Sequence, residues 1–266
     1  MQWTDILIPA AIFAGLGLLF GAALAIASRI FAVKEDERVA KITEALPGAN
    51  CGGCGYSGCA AYAEAIVKGE APLNACLAGG EAAARVISEV MGVPVVASAP
   101  MRAQVMCSGK VGASKQKYHY VGALDCAAAE RIGGGDKCCP NGCIGLGSCA
   151  AACPYDAITV KDRLAEVNAE KCRGCGVCVS NCPKHIIRMI PASATHWVAC
   201  LSVENGKKTR EQCDVGCISC RLCEKACQYD AVHVNDFVAS INYDKCVGCG
   251  ACADKCPRKI IHFVKR

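Results

Sequence analysis

Residues 167–187 read VNAEKCRGCGVCVSNCPKHII, and residues 241–261 read INYDKCVGCGACADKCPRKII. Each contains the run Cys-x2-Cys-x2-Cys-x3-Cys-Pro. In the first it is Cys172, Cys175, Cys178 and Cys182 before Pro183; in the second, Cys246, Cys249, Cys252 and Cys256 before Pro257. Three thiolates at this spacing can take three corners of an iron–sulfur cubane, while the fourth, held before proline, is directed to a neighbouring cluster. The two runs lie 74 positions apart, and the same offset carries YDAITV at 155–160 onto YDAVHV at 229–234. It also carries Cys139, Cys143, Cys149 and Cys153 onto Cys213, Cys217, Cys223 and Cys227, and the isolated Cys126 onto Cys200. A duplication explains this, and makes matched positions structural equivalents.

The crossover of ligands assigns Cys153, Cys172, Cys175 and Cys178 to one cluster, and Cys227, Cys246, Cys249 and Cys252 to its counterpart. Cys217, Cys220, Cys223 and Cys256 form a third. The fourth is incomplete, because Leu146 stands where the second repeat has Cys220. Cys143, Cys149 and Cys182 need one more thiolate; Cys139 is the expected ligand, with Cys138 as an alternative and a three-iron centre if neither reaches. Cys51, Cys54, Cys59 and Cys76, in and after the stretch ALPGANCGGCGYSGC (45–59), make a fifth set. Its glycines let backbone amides approach the sulfurs. Of the remaining cysteines, Cys107, Cys126, Cys200 and Cys213 are read as a sixth cluster between the two repeats. Zinc is the alternative for any isolated Cys-x2-Cys pair.

Composition agrees. The chain has 25 cysteines in 266 residues and only 5 % aromatics, so clusters stand in for much of a conventional core. The formal charge of +5 does not indicate nucleic acid: an oxidised cubane on four thiolates carries about −2, so five would bring the total to about −5. No Gly-x-Gly-x-x-Gly follows a strand, so nicotinamide and flavin chemistry is expected elsewhere, and no catalytic residue is assigned. The five histidines are scattered. Lys184, Arg258 and Lys259 beside cluster cysteines are candidates for docking an acidic ferredoxin.

From Ile6 to Ser28 no residue is charged, a length that predicts a single transmembrane helix. Asp5 precedes it, while Arg29, Lys34, Arg38 and Lys41 follow, which predicts a single pass through the inner (cytoplasmic) membrane, lipid contact, and clusters on the cytoplasmic side. A cleaved signal peptide is disfavoured by the missing basic n-region. The expected fold is α+β: a transmembrane anchor (1–33), a small helical 4Fe-4S module (34–92), a connecting region (93–137), and two tandem bacterial-type two-cluster ferredoxin domains (138–191 and 192–266).

The anchor, then LPGANCGGCGYSGC, then paired ferredoxin runs, resembles the B component of the Rnf electron-transport complex in its longer, cysteine-rich form. The resemblance implies a membrane-bound ferredoxin:NAD+ oxidoreductase coupled to Na+ or H+ transport. Soluble ferredoxin would be the electron donor and the other Rnf subunits the acceptors, with five [4Fe-4S] clusters expected and a sixth from the leftover cysteines. Alternatives are a membrane-tethered reductase for a redox-sensing transcription factor, or a zinc-stabilised scaffold.

Overall fold

The computed structural model describes residues 4–30, 36–94 and 99–263; the side chains of 4–12 and 29–30 lie outside that description. The uncharged amino-terminal stretch is helical, α1 (Thr4–Ile30). The expected transmembrane anchor is corrected, however: among the described residues no helix is long and apolar enough to cross a membrane. Lys34 and the side chain of Arg29, which oriented the expected anchor, lie outside the described residues.

The next unit is helical, as its sequence predicts. α2 (Glu37–Ala45), α3 (Cys59–Val67) and α4 (Gly80–Met91) bury one apolar face each, joining Ile42, Leu46, Tyr62, Ile66 and Ile87 in a small core. Asp36 caps α2 by accepting from the Arg38 amide at 2.9 Å. Tyr62 ties α3 to the loop before α4: its hydroxyl donates to the Pro72 carbonyl at 2.7 Å and accepts from the Ala75 amide at 3.0 Å. That bond fixes the loop carrying Cys76.

Beyond residue 99 come β1 (Met101–Val105), α5 (Cys126–Arg131), α6 (Ser148–Ala151), β2 (Ile158–Lys161), β3 (Leu164–Val167), α7 (Val177–Ser180) and β4 (Ile187–Pro191). The second repeat supplies β5 (His196–Val198), α8 (Gly206–Gln212), α9 (Leu222–Ala226), β6 (Val232–Asn235), β7 (Val238–Ile241), α10 (Ala251–Asp254) and β8 (Ile261–Phe263). Each repeat has one antiparallel hairpin, β2–β3 or β6–β7. Both turn through two positive-φ residues, Asp162–Arg163 and Asp236–Phe237, the tight turn whose twist matches paired strands. Each also has a terminal antiparallel pair, β1–β4 or β5–β8. The first ferredoxin-like unit therefore begins at β1, inside the region expected to be a connector.

The short helices place the third cysteine of each half-motif. α6, α7 and α10 follow Gly147, Gly176 and Gly250, all with φ between +79° and +93°, a turn glycine makes without strain. In the fourth copy Arg221 takes that role at φ +57°. Cys143, Cys149 and Cys178 are part of one buried core, and Cys217, Cys223, Cys252 and Cys256 part of the other.

Candidate iron–sulfur centres

The cysteines gather into six groups of four. Group one is Cys51, Cys54, Cys59 and Cys76, around a small hollow that Tyr155 and Cys175 also line. In group two, Cys172, Cys175 and Cys153 crowd the thiol of Cys178. Group three surrounds a second small hollow with Cys143, Cys149, Cys182 and Cys126. Group four surrounds a third with Cys107, Cys139, Cys200 and Cys213. Group five, Cys217, Cys220, Cys223 and Cys256, lines a fourth. In group six, Cys246, Cys227 and Cys249 crowd Cys252.

Four groups bring together the cysteines that the spacing pairs, and in the other two Cys126 and Cys139 exchange places. Cys126, at the start of α5, stands with Cys143, Cys149 and Cys182, where Cys139 was expected; Cys139 stands with the cysteines between the repeats. Strand pairing gives the reason. The Met106 amide donates to the Ile186 carbonyl at 2.9 Å, and the Ala199 amide to the Ile260 carbonyl at 2.7 Å. Ile186 and Ile260 are repeat equivalents, so Cys107, not Cys126, is the counterpart of Cys200. Cys126 belongs to a segment present only in the first repeat. Its helix is capped by Asp125, bonded to Ser148 of α6 at 2.9 Å, and Leu146, at the position of the missing cysteine, packs against Cys126. Group four is thus symmetric: Cys107 and Cys139 come from one repeat, and their counterparts Cys200 and Cys213 from the other. Cys138 stands outside all six groups, its amide bonded to the Lys115 carbonyl at 2.8 Å.

The donor sets suit cubanes. Among the described residues no group of three or more His, Cys, Asp or Glu side chains is placed to hold a single metal ion. Backbone amides point at many of the sulfurs. Gly79 donates to Cys76 at 3.3 Å, Ala103 to Cys172 at 3.4 Å and Gly109 to Cys107 at 3.3 Å. Ala157 donates to Cys153 at 3.4 Å, and its counterpart Ala231 to Cys227 at 3.3 Å. Such bonds stabilise negative sulfur and tune the potential of a bound cluster. Without a cation the thiols stay protonated: burial pushes Cys149, Cys178 and Cys200 up to about 12, and Cys139, Cys143, Cys223 and Cys252 up to about 11. In most of them neighbouring sulfurs add to the shift. Metal binding would release those protons.

The groups also form a line. Gly53, between Cys51 and Cys54, abuts the carbonyl of Cys175, linking groups one and two. The Cys149 thiol is crowded by Cys178, linking three to two, and that of Cys143 by Cys107, linking three to four. Cys200 accepts from the Cys217 amide at 3.4 Å, linking four to five. Groups five and six share one core. Ion pairs and carbonyl contacts brace the middle. Buried Lys137 donates to the carbonyls of Gly109 at 2.6 Å and Arg163 at 2.7 Å, Asp136 pairs with Arg163 at 2.9 Å, and Arg258 donates to the Cys213 carbonyl at 2.7 Å.

Comparisons with known proteins agree with this layout. Residues 46–78 match the family described as "Putative Fe-S cluster", and residues 139–186 and 216–261 match two families each described as "4Fe-4S dicluster domain". The chain is 44 % identical over 257 residues, 96 % of its length and 77 % of the relative's, to the B component of the Na(+)-translocating ferredoxin:NAD(+) oxidoreductase complex of Acetobacterium woodii. It is 40 % identical over 254 residues, 95 % of its length and 96 % of the relative's, to the B component of the ion-translocating oxidoreductase complex of Methanosarcina acetivorans. To the proton-translocating counterpart of Clostridium ljungdahlii it is 36 % identical over 253 residues, 94 % of its length and 89 % of the relative's.

Proposed function

The chain belongs to the B-component family of ion-translocating ferredoxin:NAD(+) oxidoreductase complexes, and from that premise we propose that its six cysteine groups hold six [4Fe-4S] clusters in one line of electron transfer. It is an iron–sulfur electron-transfer subunit of such an oxidoreductase, with other subunits of the complex as its partners. When bound, the clusters supply one-electron carriers; the chain supplies everything else. Twenty-four thiolates hold them, amides at Cys76, Cys107, Cys153, Cys172 and Cys227 stabilise their charge, and burial of cysteines such as Cys143, Cys149, Cys178, Cys200 and Cys223 limits their contact with water. The carrying observation is the order of the groups, in which each lies beside the next.

Reduced soluble ferredoxin is the proposed electron donor. Ion translocation takes place across a membrane, so the chain works at one. Ferredoxin and NAD(+) are cytoplasmic solutes, which supports placing the clusters on that side. The exposed apolar side chains of α1, Phe13, Leu18 and Leu24, supply a surface for packing against partner subunits.

The test is anaerobic purification with iron and sulfide analysis, which should return about 24 iron atoms per chain, four per cubane. Replacing Cys107 and Cys200 together should remove about four. A wild-type value near 20, unchanged in the double variant, would leave the group between the repeats without a cluster.

A further inference from the structure

The duplication gives the same ferredoxin face twice, and the two copies are treated differently. In the first repeat the face around Cys175 is covered. The helical module lays Gly53 on the Cys175 carbonyl, Cys175 is 9 % exposed, and the hydroxyl of Tyr155 is sealed from solvent. In the second repeat the equivalent Cys249 is exposed. Tyr229, the counterpart of Tyr155, is 47 % exposed, and Val247 is 59 % exposed where the first repeat carries Arg173. Group six is also the last in the order of groups that begins at the module.

We propose that this bare face, centred on Cys249 and framed by Val247 and Tyr229, is the docking surface for a small soluble iron–sulfur protein, received as the first repeat receives its own module. The inference rests on reading the chain as an electron-transfer subunit, and adds where the donor binds. The covered copy shows what fits: a glycine-bearing Cys-x2-Cys loop whose backbone comes within contact of the cluster cysteine. Two of the three basic residues that sequence alone nominated for docking are engaged elsewhere, while Lys259 is exposed. Lys184 is paired with Glu130 at 2.7 Å, and Arg258 is bonded to the carbonyls of Cys213 and Gly216. Beside the bare face, Lys245 is neutralised by Asp230 at 2.7 Å. Contact there is made by shape and apolar area, with Val247 at its centre. One electron leaves the docked partner's reduced cluster, which is oxidised, and enters at group six, which is reduced; no proton or atom moves.

The experiment uses the full chain, loaded with iron, mixed anaerobically with a reduced two-cluster ferredoxin in a stopped-flow spectrometer. Val247→Glu puts an unpaired charge into the contact and should lower the second-order rate constant roughly tenfold or more. Its iron content and its reduction by dithionite should stay at wild-type values. Leu222→Glu, the same change beside the other exposed ligand, Cys220, should leave the rate unaltered. Loss in Leu222→Glu with none in Val247→Glu would move the port to group five and overturn the proposal, as would two unaffected variants. A wild-type chain that dithionite reduces but ferredoxin does not would overturn the functional reading itself.

Discussion

Gly53→Ala isolates the contact that joins the helical module to the first ferredoxin unit. The residue has an ordinary φ, unlike Gly52 at +69° and Gly55 at +90°, so the backbone accepts alanine. The space does not. The added Cβ would overlap the Cys175 carbonyl oxygen and stand 3.1 Å from its carbonyl carbon, so the two surfaces must part by about 1 Å to recover ordinary contact distances. Overpacking of this kind costs about 1–3 kcal/mol, which lowers the ratio of docked to undocked module by roughly 5- to 150-fold. All four thiols of group one remain, so the iron content should not change. Hydrogen exchange should quicken in residues 49–58 and 173–176, while freeze-quench EPR should show slower electron passage between groups one and two. Wild-type exchange and wild-type transfer in the variant would refute the claim that this glycine sets the junction.

Tyr155 lines the hollow of group one with a buried hydroxyl that has no protein partner, so it should donate to cluster sulfur. Tyr155→Phe should lower one midpoint potential by roughly 40 mV, the equivalent of about 1 kcal/mol of lost hydrogen bonding, and an EPR-monitored titration showing no shift would refute this. Cys126→Ala and Cys139→Ala should each remove about four iron atoms but erase different EPR signals, whereas Cys138→Ala should lose none; identical spectra for the first two would contradict the regrouping. Asp136 is 1 % exposed and pairs with Arg163, so Asp136→Ala should destabilise the loaded chain by about 3 kcal/mol, read as a lowered denaturation midpoint.

The ferredoxin runs were legible because their chemistry is written in spacing: Cys172 to Cys182 and Cys246 to Cys256 lie within single turns and short helices, where sequence distance is nearly spatial distance. So was the helical module, whose apolar positions recur at helical period. The fourth ligand of group three was not. A constant offset paired Cys126 with Cys200, yet Cys126 sits in a segment that only the first repeat has, and the hydrogen bonds of Met106 and Ala199 reveal Cys107 as the true counterpart. A signal was present in the sequence, since Val-Met-Cys and Val-Ala-Cys each close a short strand. β1 was missed because a five-residue strand paired 86 positions away leaves no local pattern. The membrane span was read from an uncharged run, yet among the described residues no helix is long and apolar enough to cross a membrane.

Group four has a consequence for chain entropy. Its sulfurs tie residue 107 to residue 213, closing a loop of about a hundred residues whose ends are otherwise joined by a short backbone bridge, Lys115 to Gln212 at 2.9 Å and Asp214 to Ala113 at 2.8 Å. A covalent cross-link over such a loop removes roughly 4–5 kcal/mol of conformational freedom from the unfolded chain, and four iron–thiolate bonds would act as the same kind of staple. Neither repeat can close it alone, because each brings only two sulfurs. Iron supply during synthesis would therefore set how tightly the two halves are held, and stripping iron from this group alone would leave them joined by that backbone bridge while each kept its own hairpins and its own pair of clusters.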